Sequence, residues 1–374
     1  MSESGNSGRL ISLDAFRGIT IAGMILVNNP GSWSNVYPQL RHSEWHGVTF
    51  TDLIFPFFLF IVGVAMTLSM PKRLEAGASK KSLMLAVSRR SIIIFALGMF
   101  LAGFPYFNLS TIRIPGVLQR IAVCYFFTSI IVLNSKWKGQ AFWALGLLTF
   151  YWLAMNLIPV PGFGAGDLSP EGNFAAFIDQ KLLTGHMWSQ TKTWDPEGLF
   201  STLPAIATTL TGVLTGWWLK ADKTKIEITV WMLIAGNLGL LIGWIMDMWF
   251  PWNKAIWTSS YVVYTTGFAL IFLAFCYWAV EVMNWRKWTR PFVLYGKNSI
   301  AVFVLSGFVA RITFLIKFTN PDNSTTNLQQ VLYHALYTSW LPPMGASLAW
   351  ALSYISGFLL LMWLMDRKKL YIKI

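Results

Sequence analysis

The chain has 374 residues, of which 55% are hydrophobic and only 12% are charged, and it contains 20 Trp and 28 Phe. A soluble domain carries roughly a quarter charged residues, so this composition excludes an ordinary soluble protein and indicates a polytopic membrane protein. Lys and Arg exceed Asp and Glu, which gives a formal net charge of +13. In a membrane protein such an excess reflects loop topology and contact with anionic lipid, so nucleic acid is not an expected partner.

Ten apolar stretches are each long enough to cross about 30 Å of hydrocarbon as a helix. They cover approximately residues 14–34, 50–70, 88–104, 115–134, 140–158, 200–219, 227–250, 258–283, 292–316 and 346–365. We therefore predict an all-α polytopic membrane protein with about ten transmembrane helices, formed as a single domain over residues 1–374. Asp14 and Arg17 interrupt the first stretch, which then continues at spanning length, so we expect an uncleaved helix rather than a signal peptide.

Basic residues concentrate in alternate loops between these stretches. One set of loops, together with both ends of the chain, holds Arg9, Lys72, Arg73, Lys80, Lys81, Arg89, Arg90, Lys136, Lys138, Lys220, Lys223, Lys225, Arg286, Lys287, Arg290, Arg367, Lys368, Lys369 and Lys373. The opposite loops hold only scattered basic residues such as Arg41 and Arg113. Because cytoplasmic loops are enriched in Lys and Arg, we predict that both termini are cytoplasmic and that the loop carrying His42 lies outside.

Two of the predicted outer loops are long. Residues 159–199 begin with several Pro and Gly, which predicts irregular backbone, and five acidic residues there outnumber two lysines. Residues 317–345 contain an expected short interfacial helix around 328–340. Long loops in compact proteins often carry function, so both loops are candidates for an outer site.

Ionisable residues inside spanning stretches cost roughly several kcal/mol unless they are paired or face water, which makes each a functional candidate. Asp14 and Arg17 are three residues apart and share a helix face, either as an anchoring ion pair or as part of a site. Arg120, in the fourth stretch, either pairs structurally with a carboxylate such as Asp52 or takes part in function.

His42 and His46 lie four residues apart in a predicted outer loop. Histidine is the side chain best suited to gain and lose a proton near neutral pH, so His42 is a candidate acid–base group, with an ordinary interfacial histidine as the alternative. The spacing would also suit a metal pair, but no metal motif is present and no metal is expected. Cys124 and Cys276 lie within apolar stretches and are expected to be buried and unbonded.

Several separated blocks of sequence resemble one known family. They are Ser12–Gly18, Val27–Asn28, His42–Gly47, Asp52–Gly63, Arg113–Arg120, Asp195–Gly198, Asn253–Trp257, Ser260–Val262, Tyr295–Gly296 and Asn298–Ile300. In order and content they are similar to the heparan-α-glucosaminide N-acetyltransferase family and its bacterial relatives, over nearly the whole chain. The resemblance implies a membrane enzyme that takes acetyl-CoA from the cytoplasm and acetylates a glucosamine-type sugar on the far side. It also implies a homodimer in the bacterial inner membrane.

The same resemblance assigns roles to two residues, and charge and position suggest the others. It implies that the catalytic histidine, in a His-x-x-Trp motif, is His42, and that Asn28, in a Val-Asn motif, belongs to the same site. His42 would accept the proton of the amine and the Asn28 amide would donate to the oxyanion, while acetyl either passes directly to the sugar or first rests on His42. The expected acceptor contacts are Trp45, His46, Asp52, Asp195 and Glu197. The expected acetyl-CoA contacts are Asp14, Arg17, Arg120 and Asn298.

Two other functions remain open on the sequence. Ten spans with charged residues inside the membrane would also suit a transporter of sugars or lipid-linked units. An acyltransferase of the same design would suit a hydroxyl acceptor on a cell-wall glycan. The acidic 159–199 loop, with Asp195 and Glu197 just before the sixth span, favours a cationic amino sugar over a sulfated polymer.

Overall fold

The structure, a computed structural model, describes residues 10–319 and 324–372. Its long helices are α1 (Ile11–Asn28), α2 (Phe50–Glu75), α3 (Lys80–Gly103), α4 (Val117–Asn134), α5 (Trp137–Leu157), α7 (Thr202–Leu219), α8 (Lys225–Asp247), α9 (Ser259–Tyr277), α11 (Ser299–Leu315) and α13 (Pro343–Arg367). The shorter helices are α6 (Phe174–Leu183), α10 (Arg290–Lys297) and α12 (Leu328–Tyr333), and β1 (Lys317–Thr319) pairs with β2 (Thr325–Asn327) as an antiparallel hairpin. Arg9, Lys373 and residues 320–323 of the second long loop lie outside the described residues.

Each predicted span coincides with a helix or a helix pair. Within the described ranges, seven helices are long and apolar enough to cross a membrane, namely α1, α2, α3, α4, α8, α9 with the π-helical turn that follows it, and α13. Residues 287–297 and α11 form a pair bent by 74°, which adds an eighth if the pair is one broken span. α5 and α7 have 21 and 18 residues but are less apolar. The mainly helical class is therefore confirmed, and the apolar helices support a polytopic membrane protein, whereas the count of ten and the cytoplasmic position of the termini stay predictions.

Helix α1 lies at the centre of the assembly. In the most apolar 18-residue segment of α1, 67% of the residues are buried, compared with 28% for α8 and 22% for α13. Helices α8 and α13 therefore leave much of their apolar surface for lipid. The backbone of α10 approaches α1 so closely that a Cβ at Gly18 would lie 1.7 Å from the carbonyl oxygen of Phe292. Only glycine permits this contact, which holds the bent α10–α11 pair against the start of α1.

The segment between α5 and α7 folds as a layer over one end of the helices. It contains α6, which begins at Asn173, where the side chain accepts a hydrogen bond from Ala176 N at 2.8 Å. Following the charge-based orientation, we call this end, which also carries the α1–α2 loop, the outer end. Cys124 and Cys276 are both buried and unbonded, as predicted.

Candidate functional site

The α1–α2 loop and the first turn of α2 hold His42 against a buried carboxylate. His42 Nδ1 lies 2.6 Å from Asp52 Oδ1, and the side chains of His42 and Asp52 are 49% and 1% exposed. The other carboxylate oxygen accepts hydrogen bonds from Ser43 N at 3.1 Å and from Thr49 N at 3.0 Å. Because an ionised carboxylate only accepts, Nδ1 carries the proton of the neutral imidazole. The second ring nitrogen, Nε2, is therefore left with a lone pair that can take a proton.

Asp52 is fixed by hydrogen bonds to both its carboxylate and its backbone. Its carboxylate has four donors, and the Tyr261 hydroxyl of α9 donates to its backbone carbonyl oxygen at 2.5 Å. The residue is fully buried. His42 is the exposed member of the pair, and the assignment of Asp52 to the acceptor stays a prediction.

Arg120 lies at the outer end of α4 and is 1% exposed. It donates to the carbonyl oxygen of Gly198 at 3.0 Å and to Ser201 Oγ at 2.5 Å, and its guanidinium stands 5.0 Å from the ring centroid of Trp257. In the described part of the chain it forms no ion pair with a carboxylate, so the structural pairing with Asp52 is not formed. Arg120 therefore holds the turn before α7, and its assignment as an acetyl-CoA contact stays a prediction.

Arg113 forms the main ion-pair network of the outer end. Its Nε and Nη2 lie 2.8 and 2.6 Å from the two oxygens of Asp195, and Nη2 lies 2.6 Å from Glu197 Oε2. Burial opposes the charged forms, but the ion pairs outweigh it, so the pKa of Arg113 is raised and that of Glu197 is lowered. Asp195 and Glu197 are only 2% and 8% exposed. Arg113 thus pairs with both carboxylates, and their assignment to a cationic acceptor sugar stays a prediction.

Lys254, in the loop between α8 and α9, is a charged residue that the sequence analysis left without a role. The carboxylates of Glu197 and Asp52 both attract its ammonium group, although burial lowers the pKa of Lys254 overall. It therefore links the Arg113 network electrostatically to the His42–Asp52 pair. Its place in the Asn253–Trp257 block was a signal that pointed to it.

Trp45 and His46 turn away from His42 toward the loops. Trp45 Nε1 donates to the carbonyl oxygen of Leu168 at 2.8 Å, and its ring meets that of Trp194 edge-on at 5.0 Å. His46 Nδ1 lies 3.5 Å from Asn253 Nδ2. These contacts hold the His42 loop against its neighbours. The assignment of Trp45 and His46 to the acceptor stays a prediction.

An outer cavity of about 590 Å³ opens between α1, α3, α4 and α11. It is lined by Asn28, Arg113, Gln119 and Arg311, among others. Asn28 is exposed at the last turn of α1, and its side chain has no hydrogen bond to any residue that the structure describes. His42 is not among the lining residues, so any reaction joining the two requires a substrate that reaches from this cavity to the imidazole.

An inner cavity of about 380 Å³ lies at the opposite end. Arg17 lines it together with Arg90 and Lys297. From the sequence, Arg90 counts only as one of the basic residues of the cytoplasmic loops, and Lys297 has no predicted role. Arg17 Nη1 stands 3.4 Å from Asp14 Oδ1, so the predicted proximity of this pair is confirmed. Together the three cations make this cavity suited to an anion with several phosphates.

The two cavities approach each other along three helices. On α3, Ile94 lines the inner cavity and Gly98 the outer one. On α4, Ile121 lines the inner cavity and Leu118 the outer one. On α11, Ile300 lines the inner cavity and Phe303 the outer one. A spacing of three or four residues corresponds to about 5–6 Å along a helix, so roughly one turn of apolar side chains separates the cavities.

Asn298 is hydrogen-bonded to the segment that follows α13. Its Oδ1 accepts a hydrogen bond from Ile372 N at 2.8 Å, and its Nδ2 donates to the carbonyl oxygen of Leu370 at 3.4 Å. Ile372 itself lines the inner cavity. Asn298 is only 2% exposed and holds the segment beside this cavity, and its assignment as a cofactor contact stays a prediction.

These features define a polytopic helical membrane protein with a histidine–carboxylate pair at one end and cavities that enter from both ends. Residues 9–247 match the family model described as heparan-alpha-glucosaminide N-acetyltransferase, catalytic, so the chain belongs to this family and the resemblance seen in the sequence is confirmed. The chain is 31% identical over 354 residues to the heparan-alpha-glucosaminide N-acetyltransferase of Homo sapiens, covering 79% of this chain and 52% of that protein. It is 31% identical over 358 residues to the Mus musculus protein of the same name, covering 80% and 53%. The chain thus spans about half the length of these relatives.

Proposed function

We propose that the protein is a membrane N-acetyltransferase that moves acetyl from cytoplasmic acetyl-CoA to the amine of a glucosamine-type sugar on the outer side. The observation that carries this proposal is the His42–Asp52 pair, in which a half-exposed imidazole has its Nδ1 fixed and its Nε2 free. Membership of the family supports the acetyl chemistry. The two cavities support delivery from the inner end.

In the reaction, the neutral amine nitrogen attacks the thioester carbonyl, which becomes an oxyanion. His42 Nε2 takes the proton that the nitrogen loses, and the buried carboxylate of Asp52 stabilises the imidazolium that forms. Asn28 donates to the oxyanion from the cavity lining. Collapse breaks the carbon–sulfur bond, the imidazolium returns its proton to the CoA thiolate, and the amide product leaves. If acetyl rests on His42 first, the same Nε2 forms the bond to it, since Nδ1 is held by Asp52.

Acetyl-CoA would bind with its phosphates in the inner cavity, against Arg17, Arg90 and Lys297. Its thioester arm would then cross the apolar turn between the cavities. Asp14 positions Arg17 through their ion pair, and Arg120 positions the Asp195–Ser201 turn rather than the cofactor. The sites needed for binding and for chemistry are thereby assigned to opposite ends of the helices.

The membrane setting belongs to the same proposal. The concentration of Lys and Arg in alternate loops supports cytoplasmic termini and an outer His42 loop, in a bacterial inner membrane. The exposed apolar faces of α8 and α13 would contact lipid or a second copy in a homodimer. Labelling of introduced cysteines checks the orientation. Glu44→Cys should react with an impermeant thiol reagent added outside, and Lys81→Cys should react only with reagent that reaches the cytoplasmic side.

Purified protein given acetyl-CoA and glucosamine is expected to produce N-acetylglucosamine, measured by mass spectrometry. His42→Ala should lower turnover by about 100-fold or more. Glu44→Gln, a change of an exposed residue in the same loop, should behave as wild type. Retention of turnover by a folded His42→Ala variant would refute the role given to this residue.

Cavities that enter from both ends would also suit a sugar transporter. The two functions separate in vesicles that contain no CoA. Uptake of labelled glucosamine under those conditions, with no acetylated product when acetyl-CoA is added, would favour transport. An acetyl product on a sugar hydroxyl instead of the amine would favour the O-acyltransferase.

A further inference from the structure

A second outer cavity, of about 520 Å³, lies between the α1–α2 loop and the segment after β2. We call it the neutral pocket, because no Asp, Glu, Lys or Arg of the described ranges lines it. Its volume lies in the range of about 300–1,000 Å³ that is usual for small-molecule sites. Neither the proposed mechanism nor the cofactor uses it.

Four polar side chains of the neutral pocket share a pattern. Each is held by one hydrogen bond to the protein and keeps a second polar atom without a partner among the described residues. The bonds run from Asn35 Nδ2 to Ser32 Oγ at 3.3 Å, from Gln329 Nε2 to the carbonyl oxygen of Pro30 at 3.3 Å, from Asn327 N to Gln330 Oε1 at 3.1 Å, and between His334 Nδ1 and Thr338 Oγ1 at 3.2 Å. Asn35 Oδ1, Gln329 Oε1, Gln330 Nε2 and His334 Nε2 therefore remain oriented and unpaired.

Trp33 adds a flat apolar surface to this set. Its side chain is 63% exposed and lines the pocket, and within the described residues it has neither a hydrogen bond nor an aromatic partner. A sugar ring presents hydroxyl groups at its edge and C–H groups on its face, so amide and imidazole groups beside an open indole ring match it. A sulfate, carboxylate or phosphate group would lose water here without gaining a Lys or Arg partner among the described residues, which costs free energy.

The position of the neutral pocket connects it to the reactive loop. The neutral pocket adjoins the outer cavity at two places. After α1, Asn28 and Asn29 line the outer cavity and Gly31 lines the neutral pocket. On α11, Arg311 lines the outer cavity and Phe314 lines the neutral pocket. Arg41, which precedes His42, donates to the carbonyl oxygens of Ser34 and Val36 at 3.0 and 2.9 Å. Because these two residues flank Asn35, the pocket wall is held by the neighbour of the catalytic residue.

We propose that the neutral pocket is a saccharide subsite that binds the second, uncharged sugar unit of an acceptor whose terminal glucosamine meets His42. The inference rests on the proposed function. The acceptor would then be an oligosaccharide that ends in glucosamine and whose second sugar unit carries no charge. Trp33 stacks on the second ring, and the four oriented polar groups bond to its hydroxyls. An acceptor with a sulfate on that second ring binds less well.

The test compares acceptors and variants. The ratio of kcat/KM for a glucosaminyl–glucose disaccharide to that for glucosamine is measured in wild type, Trp33→Ala, Trp33→Phe and Trp340→Ala. Trp340 is the matched control, since it is 66% exposed in the 317–345 loop but does not line the pocket. We expect the ratio to fall about fivefold in Trp33→Ala, to be largely kept by the phenyl ring of Trp33→Phe, and to stay at the wild-type value in Trp340→Ala.

Binding without catalysis separates this inference from the proposed function. Equilibrium dialysis of a neutral glucose disaccharide, with no acetyl-CoA present, should show binding to wild type and weaker binding to Trp33→Ala. That result would support the subsite even if no amine were acetylated. An unchanged acceptor ratio in Trp33→Ala, equal loss in the Trp33 and Trp340 variants, or preference for a second ring carrying sulfate would overturn the proposal.

Discussion

The charged groups at the two ends of the helices are held in different ways. At the outer end, Arg113 makes three close contacts with Asp195 and Glu197, and Asp52 accepts hydrogen bonds from four groups. At the inner end, Arg17 pairs with Asp14 at 3.4 Å and Lys297 with Asp366 at 2.6 Å, and both cations line a cavity.

This difference distinguishes a site whose charged groups keep their partners from a site whose cations can exchange partners. The buried carboxylate of Asp52, with its several donors, holds His42 in one orientation, which general-base chemistry requires. Partly exposed cations beside a cavity are instead able to change partner, which suits the arrival and departure of a phosphate-bearing cosubstrate. Variants at the outer end should therefore affect stability and turnover, whereas variants at the inner end should affect the KM for acetyl-CoA.

The largest effect is expected for Arg113→Gln. The change leaves Asp195 and Glu197 buried without their countercharge, which should lower the free energy of unfolding by about 3–5 kcal/mol. Thermal unfolding in detergent measures it, with Lys192→Gln, an exposed change in the same layer, as the control. An unchanged melting temperature would show that the network contributes little.

Asp52→Asn should lower kcat by about 100-fold while KM for the acceptor changes little. The amide cannot stabilise the imidazolium, and it no longer fixes the proton on Nδ1 of His42. Steady-state kinetics with glucosamine measures both constants. A rise in KM alone would mean instead that Asp52 contacts the acceptor, as the sequence suggested.

Arg90→Gln should raise the KM for acetyl-CoA about tenfold, because one charge-assisted contact to a phosphate is lost. Arg89→Gln provides a matched control, since Arg89 precedes it on α3 and does not line the inner cavity. Equal effects of the two changes would indicate that only the overall positive charge of this surface matters.

The smallest effect concerns Asp179 of α6. Burial raises the pKa of Asp179 to about 6, although Leu199 N donates to its carboxylate at 2.9 Å. The folded state thus retains this proton at a pH where the unfolded state has released it, so stability increases as the pH falls from about 6 toward 4, by at most about 1.4 kcal/mol per pH unit. Asp179→Asn should flatten the dependence of melting temperature on pH over this window, whereas Asp167→Asn should not.

The helices and part of the site could be predicted from local sequence. Apolar length located the spanning helices, and a Thr49-x-x-Asp52 pattern ahead of an apolar run is a helix-start signal that places Asp52 at the third position of α2. Spacing alone did not show that this carboxylate would turn back to His42. The family resemblance supplied His42 and Asn28, and charge alternation supplied an orientation.

The remaining features depend on contacts between distant parts of the chain. Arg113 meets Asp195 and Glu197 across 82 and 84 residues, so two of the five acidic residues of this loop are paired with a cation once the chain folds. Asn298 reaches a partner 74 residues later, at Ile372. The approach of the two cavities requires three helices to align, and no local pattern encodes such an alignment.

The most direct measurement is made in proteoliposomes with acetyl-CoA confined to the side of the chain termini and glucosamine confined to the side of His42. We predict N-acetylglucosamine on the His42 side, with thiol release on the other, and loss of both in His42→Ala. Product that forms only when the two substrates share one side, or that persists without the imidazole, would contradict transfer across the membrane to His42.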